Sequence, residues 1–254
     1  MIFFSDLDNT LIYSKRKIAG NYICVDKKEG KEISYLLNTV YQWILKQPLL
    51  TIPVSTRSLE EYQRITIHPR FSYALVANGG ILLKDGQIDR VWREETLQLI
   101  MDCQSQFELA KRYLYQYEHD ISSLRMVNQC YLFIKSNAQD KWIAELKDIL
   151  DLQKVTIIPF DRKIYILPTL LTKGNAIKRL QHRFVELKQP NIAAGDNLFD
   201  ISMLKLATTA ITLDCPKMRS ALQMHPDSHF YHPKQQAPIY FSEYILKLIS
   251  DKLT

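Results

Sequence analysis

The chain opens on an apolar run, Ile2-Phe3-Phe4-Ser5, that stops abruptly at Asp6-Leu7-Asp8-Asn9-Thr10. Consecutive apolar residues without polar alternation predict a strand buried on both faces, the kind found in parallel sheets flanked by helices. The acidic and turn-forming residues then predict a loop at its carboxyl end, where open α/β sheets bind their ligands. With no basic leader before Asp6, this start reads as a core strand and not as a signal peptide.

A βαβ rhythm follows. Residues 11–30 read as irregular, and Ile33, Leu36, Leu37, Val40 and Ile44 recur at helical spacing from Glu32. A second strand is expected over 49–54, with Pro53 near its end. Ser58 and Glu61 form a capping-box pattern that opens a helix. A third strand over 73–77 runs into Asn78-Gly79-Gly80. The pattern then changes to an expected hairpin over 81–92 around Asp85-Gly86, a helix over 94–118 and a strand over 126–135. A helix over 140–150 and strands over 155–159 and 163–167 complete an α+β arrangement. From Lys173 the βαβ rhythm resumes: a helix over 174–185, a strand over 191–194, a helix carrying Ile201, Leu204 and Leu206, a strand over 210–213 and a last helix over 242–253. The expected fold is α/β, a Rossmann-like core with a parallel sheet built from 1–80 and 169–254, with an inserted α+β domain over 81–168.

At 254 residues, with 46% hydrophobic and 24% charged residues, the chain can bury a full core and is not a disordered chain. No apolar run approaches the length that crosses a bilayer. The net charge of +6 suits an anionic substrate, but the charges are dispersed, with no basic run or aromatic-basic stripe to argue for nucleic acid. Cys24, Cys103, Cys130 and Cys215 form no Cys-x-x-Cys pair, which fits a reducing, cytoplasmic setting with core or half-buried thiols.

Four expected strand ends carry reactive side chains: Asp6 and Asp8, then Ser55, then Asn78, then Asp196 with Asp200. Lys173 stands where the chain returns from the insertion. In extended geometry Asp6 and Asp8 leave the same face, and two carboxylates so placed raise one another's pKa unless a cation intervenes. Mg²⁺ suits such oxygen ligands beside a phosphate, with Asp196 and Asp200 completing the acidic patch. Asp6 then serves as nucleophile toward phosphorus and Asp8 as acid and base. Ser55 and Lys173 hold the phosphoryl oxygens.

Asp6-Leu7-Asp8-Asn9-Thr10, Val54-Ser55-Thr56-Arg57, Lys173-Gly174-Asn175-Ala176 and Gly195-Asp196-Asn197-Leu198-Phe199-Asp200 resemble, in order, the four motifs of the haloacid dehalogenase-like (HAD) hydrolase superfamily. The insertion resembles the α/β cap of its Cof-type and sucrose-phosphatase-like branch. The resemblance implies Asp6 as the residue that becomes an aspartyl phosphate and Asp8 as acid/base, an Asp typical there of phosphatases. It implies Mg²⁺ bound by Asp6, the Asp8 carbonyl and Asp196, with Asp200 as ligand or support. It implies Ser55 and Lys173 on the phosphoryl group, and Arg57, with Thr56, near the substrate mouth. Phe199 departs from the pattern, since related sequences often carry Asn there; Asn197 is the expected substitute, and Asn78 a further substrate candidate. A cap that closes over the site would exclude water. The implied substrate is a small phosphorylated metabolite, a sugar phosphate first, handled by a monomer or homodimer.

Plainer readings accompany each residue. Ser55-Thr56 by itself reads as a helix start, Lys173 as a surface residue, and Asp196-Asn197 as a helix-entry turn. His225, His229 and His232 read as surface residues of a loop, since their spacing fits no standard zinc site. Arg125, Lys135 and Arg162 read as solvated. The rival functions are a phosphotransferase or mutase and a non-catalytic regulator that keeps the fold. A receiver domain is too short and lacks the late Asp196/Asp200 pair.

Overall fold

The apolar start forms strand β1 (Ile2–Ser5), buried at every position. The computed structural model describes residues 1–46, 49–236 and 240–253. After β1, the strands β2 (Ile12–Tyr13), β3 (Tyr22–Lys28) and β4 (Lys31–Leu37) make an antiparallel sheet in the order β2-β4-β3. This corrects both the irregular stretch expected over 11–30 and the helix expected from Glu32. Glu29 and Gly30 take positive φ, 50° and 76°, the tight hairpin geometry that pairs β3 with β4. Pairing then outweighs helical spacing through Leu37, and only Val40 and Ile44 keep that spacing, on the buried face of α1 (Asn38–Lys46).

Strand β5 (Leu50–Pro53) ends on Pro53, where a missing N–H costs least. Ser58 and Glu61 form the expected capping box on α2 (Leu59–Gln63). Strand β6 (Tyr73–Val76) pairs antiparallel with β7 (Ile81–Lys84), and β7 with β8 (Gln87–Ile88). The hairpin stops at Ile88, short of the expected 92, because Asp89 accepts a 2.9 Å hydrogen bond from the Trp92 amide and caps α3 (Arg90–Leu99).

The single helix expected over 94–118 is broken by a 3₁₀ turn at Met101–Cys103, after which α4 (Gln104–Leu114) continues. The strand expected over 126–135 is a hairpin, β9 (Ile121–Val127) and β10 (Tyr131–Ser136), turned by Asn128 and Gln129 at positive φ. Helix α5 (Gln139–Ile149) and strands β11 (Val155–Phe160) and β12 (Lys163–Pro168) follow as expected. The antiparallel sheet β11-β12-β10-β9 turns Leu132, Ile134, Ile164 and Ile166 into one buried cluster with Phe107, Ala110 and Leu114 of α4 and Trp142 and Leu146 of α5. Period-two strands meeting period-3.6 helices account for that layer.

The chain then forms α6 (Lys173–Arg183), β13 (Asn191–Gly195), α7 (Ile201–Leu204), β14 (Thr209–Leu213), α8 (Pro216–Leu222), β15 (Ser228–Tyr231), α9 (Pro233–Gln236) and α10 (Phe241–Leu253). Strand β15 corrects the loop reading of 225–232 and carries His229. The main sheet runs β15-β14-β13-β1-β5, parallel throughout. Ser5 lies level with Ala194 on one side and Pro53 on the other, and a parallel bridge joins Val54 to Leu75 beside β6. Four neighbouring strands therefore release their chains at one edge.

The chain divides into two compact units, Met1–Ile88 with Lys173–Thr254, and Asp89–Thr172. The insertion thus begins after the 81–88 hairpin, which is hydrogen-bonded to β6, and ends just before Lys173, where 81–168 was expected. The four cysteines are free, Cys103 and Cys130 buried and the other two half-buried. Among the described residues no helix is long and apolar enough to cross a membrane.

Gly174 marks a close approach of α6 to α7. Its amide donates to Ser202 Oγ at 3.0 Å, and a Cβ added there would lie 2.4 Å from the Ser202 carbonyl oxygen. Gly174→Ala should therefore cost about 1–3 kcal/mol of stability. The expected readout is a lower urea midpoint with an unchanged m-value; an unchanged midpoint would show that the helices separate without cost.

Candidate active site

The ends of β13, β1, β5 and β6 place Asp196, Asp6, Ser55 and Asn78 along one edge of the sheet, as the sequence pattern required. The chain connects from β1 to one side and from β13 to the other, so this edge is a topological switch point, the usual ligand crevice of such sheets.

At its centre is Lys173, whose side chain is 1% exposed, so the surface reading is corrected. Its ammonium donates to Asp6 Oδ1 at 2.5 Å and to Asp200 Oδ1 at 2.6 Å. Asp6 and Asp200 are themselves buried. Burial works to lower the Lys173 pKa, but the Asp200 and Asp6 carboxylates outweigh it and hold the ammonium firmly charged. Burial pushes Asp6 well above the usual carboxylate range; Lys173 opposes the shift, and Asp200 and Asp196 add to it. Burial, reinforced by Asp200, also pushes Asp196 up to about 7.

Asp6, Asp196 and Asp200 offer carboxylate oxygens that lie within 4.8 Å of one another. Three carboxylates face one ammonium, and burial together with their mutual repulsion raises Asp6 and Asp196. Hard oxygen donors in a carboxylate-rich, half-enclosed cluster suit a small divalent cation, so these residues fit Mg²⁺. The other half of the fourth motif is held by an Asn197 capping box. Asn197 Oδ1 accepts from the Phe199 amide at 2.9 Å, and Asp200 Oδ2 accepts from the Asn197 amide at 3.0 Å. Asn197 Nδ2 donates to Asp196 Oδ1 at 2.7 Å. The Asn197 side chain is thus taken up in shaping the acidic loop, and Phe199 is buried. Gly195 lets Asp200 in, since a Cβ there would lie 2.3 Å from Asp200 Cγ.

Asp8 does not share the environment of Asp6. The strand ends at Ser5, and the amides of Thr10, Leu11 and Ile12 all turn back to the Leu7 carbonyl, with Asn9 at φ 61°. Period-two alternation stops with the strand, and the Asp8 carboxylate is not one of the three that cluster. It meets Arg57 instead, accepting from Nε at 2.8 Å on one oxygen and from Nη2 at 2.8 Å on the other.

Arg57 also differs from expectation. Besides Asp8, its guanidinium donates to Asp26 Oδ2 at 2.6 Å, to Ser34 Oγ at 2.9 Å and to the Glu61 carbonyl at 3.2 Å. A guanidinium has five N–H donors, and these contacts use them all, so Arg57 is a buried strut and not a hand for substrate. Asp26, fully buried on β3, accepts from Arg64 as well, at 3.1 Å. Asp26 and Ser34 escaped the sequence reading because β3 and β4 themselves did, and Arg64, just past α2, because its partner is Asp26.

Ser55 is buried, and its Oγ accepts from the Arg57 amide at 3.1 Å. Thr56 is half-exposed. Asn78 is buried at φ 58°, next to Ala77 at φ 50°, and the Asn78 and Ala77 amides donate to the Ser55 and Arg57 carbonyls. A non-glycine residue in the left-handed region is a local strain that surrounding structure must hold. The histidines do not converge: His225 meets the Ala207 carbonyl and His229 meets Asp227. Arg125 and Arg162 are exposed, Arg125 lying over the Phe133 ring.

Sucrose-phosphatase from Synechocystis sp. shares this fold with a TM-score of 0.64 at 14% identity, over 99% of this chain and 97% of that one. An HAD subclass IIB sugar phosphatase shares it with a TM-score of 0.56 at 12% identity, over 98% of each. A Mycoplasma pneumoniae protein provisionally named a phosphatase is 31% identical over 113 residues, 43% of this chain; the match spans 38% of that relative's length. A family model for haloacid dehalogenase-like hydrolases matches residues 87–214, half of the chain, including Lys173, Asp196 and Asp200. The chain belongs to the haloacid dehalogenase-like hydrolase family.

Proposed function

We propose that this chain is a Mg²⁺-dependent phosphatase that hydrolyses small phosphate monoesters through a phosphorylated Asp6. The observation that carries the reading is the Lys173 ammonium, buried between Asp6 and Asp200 with Asp196 beside them. An ammonium fixed against the attacking carboxylate suits a reaction that delivers three charged phosphoryl oxygens to that point.

In this reading Asp6 attacks phosphorus, and the bond to the leaving oxygen breaks. Asp8 supplies a proton to that oxygen and later takes one from the water that hydrolyses the aspartyl phosphate. Ser55 and Lys173 bind the phosphoryl oxygens, with Thr56 and buried Asn78 as further substrate contacts. Asp6 and Asp196 would hold Mg²⁺, with the Asp8 backbone carbonyl. Asp200, with both oxygens already hydrogen-bonded, better serves to fix Lys173 and the acidic loop. When bound, Mg²⁺ supplies the positive charge that the three carboxylates lack. We read Asp89–Thr172 as an inserted α+β cap and place the protein in a reducing compartment, the cytoplasm, on its free thiols. Sugar phosphates are the first substrates to try, because sucrose-phosphatase shares the fold.

Phosphate release with Mg²⁺ across a panel of phosphorylated metabolites tests the activity, with no acceptor added, so that hydrolysis is separated from phosphotransfer. Asp6→Asn should lose at least about 10³-fold in kcat, and Lys173→Ala about 10²- to 10³-fold. Equal background release from wild type and Asp6→Asn would end the enzyme reading.

The acidic cluster also sets a pH dependence. The folded, metal-free protein holds a proton on Asp196 up to about pH 7, whereas the unfolded chain releases it near pH 4. Stability without metal should therefore fall as pH rises from about 4 to about 7, through this group. Thermal midpoints should show Mg²⁺ stabilising more at pH 8 than at pH 5, with Asp196→Asn flattening both trends. An Mg²⁺ effect unchanged by pH or by that substitution would count against the site.

A further inference from the structure

We infer that Asp26 and Arg57 are positioning residues for the second half of the reaction, holding Asp8 where it takes the proton of the attacking water. This rests on the phosphatase reading above.

The geometry is a chain of fixed parts. Asp8 sits on a turn after β1 and is half-exposed, where a carboxylate has room to turn. The Arg57 fork does so, with one 2.8 Å contact to each oxygen, a planar and bidentate grip that sets the orientation of the group as well as its place. Arg57 is 9% exposed and is fixed in turn from three sides: by buried Asp26 on β3, by Ser34 on β4 and by the Glu61 carbonyl on α2. Arg64 shares Asp26, so two arginines face two carboxylates. A carboxylate has about four acceptor positions, of which a fork takes two, so such a grip is compatible with a base. Asp26, on β3, holds Arg57 and Arg64 and is not part of the Asp6, Asp196 and Asp200 cluster.

The step is the attack of a water oxygen on the phosphorus carried by Asp6. The bond from phosphorus to Asp6 breaks, its electron pair returns to the Asp6 carboxylate, and the water proton passes to Asp8. Formation of the aspartyl phosphate from p-nitrophenyl phosphate needs little help from an acid, because nitrophenolate leaves readily. With that substrate kcat/KM reports formation of the phosphorylated enzyme, and kcat includes its hydrolysis.

The experiment compares wild type, Arg57→Lys, Asp26→Asn and Ser34→Ala with p-nitrophenyl phosphate and Mg²⁺, measuring kcat, KM, the nitrophenol burst and acid-stable phosphoryl-protein. Arg57→Lys and Asp26→Asn should lower kcat and KM together by about ten- to a hundredfold, leave kcat/KM nearly unchanged, and accumulate phosphorylated Asp6. Ser34→Ala removes one acceptor, keeps both ion pairs, and should show a smaller loss of the same kind; it decides the matter if Asp26→Asn does not fold. Equal losses in kcat and kcat/KM with no accumulated phosphoryl-protein, or an unchanged kcat, would overturn the inference and leave the phosphatase reading standing. No release of nitrophenol by wild type would overturn both.

Discussion

The buried ammonium of Lys173 holds this site together. Removing a charged group from water costs several kcal/mol even after the surroundings relax, and an unpaired one is not tolerated. Asp6, from the first strand, and Asp200, from beyond β13, are each stable at their depth because Lys173 lies 2.5 Å and 2.6 Å away. The same contacts tie the first and last thirds of the chain. α6 is pressed close to α7 at Gly174, and Gly195 gives Asp200 the space it occupies. One cation against three carboxylates still leaves the cluster short of positive charge, and that shortage is where a divalent ion fits.

The two carboxylates of the first motif belong to networks of opposite character. Asp6 enters the anionic cluster. Asp8 enters one in which Arg57 and Arg64 balance Asp8 and Asp26. A turn of a few residues, closed on the Leu7 carbonyl, separates them. In the proposed mechanism this division matches two roles in one short motif: a group beside fixed positive charge would meet phosphorus, and a group gripped by an arginine fork would transfer the proton.

Much of this was legible beforehand, and for identifiable reasons. The apolar run 2–5, the capping pair Ser58 and Glu61, and the strands over 155–159 and 163–167 carry strong local signals, and each forms as expected. The four reactive strand ends were also readable, because a parallel sheet delivers its loops to one edge. The β3–β4 hairpin was not. Its turn, Glu29-Gly30, is an uncommon pairing, and Leu36 and Leu37 mimic a helical stripe. The β9–β10 hairpin hid in the same way behind Asn128-Gln129.

The sequence by itself determined the order and kind of the chemical groups: Asp6 and Asp8 after a buried strand, Ser55 after a second, Lys173 on the return, Asp196 and Asp200 after another. Local patterns specify these, since strand burial and turn composition are properties of neighbouring residues. Only the tertiary structure decided how they are paired. Arg57 became a strut with all five donors engaged, Asn197 became a cap, Lys173 went inside, and Asp8 paired with Arg57. Those outcomes depend on partners far along the chain, Asp26, Ser34 and Asp200 among them. A buried charge settles wherever its countercharges are, and no local pattern records where that is.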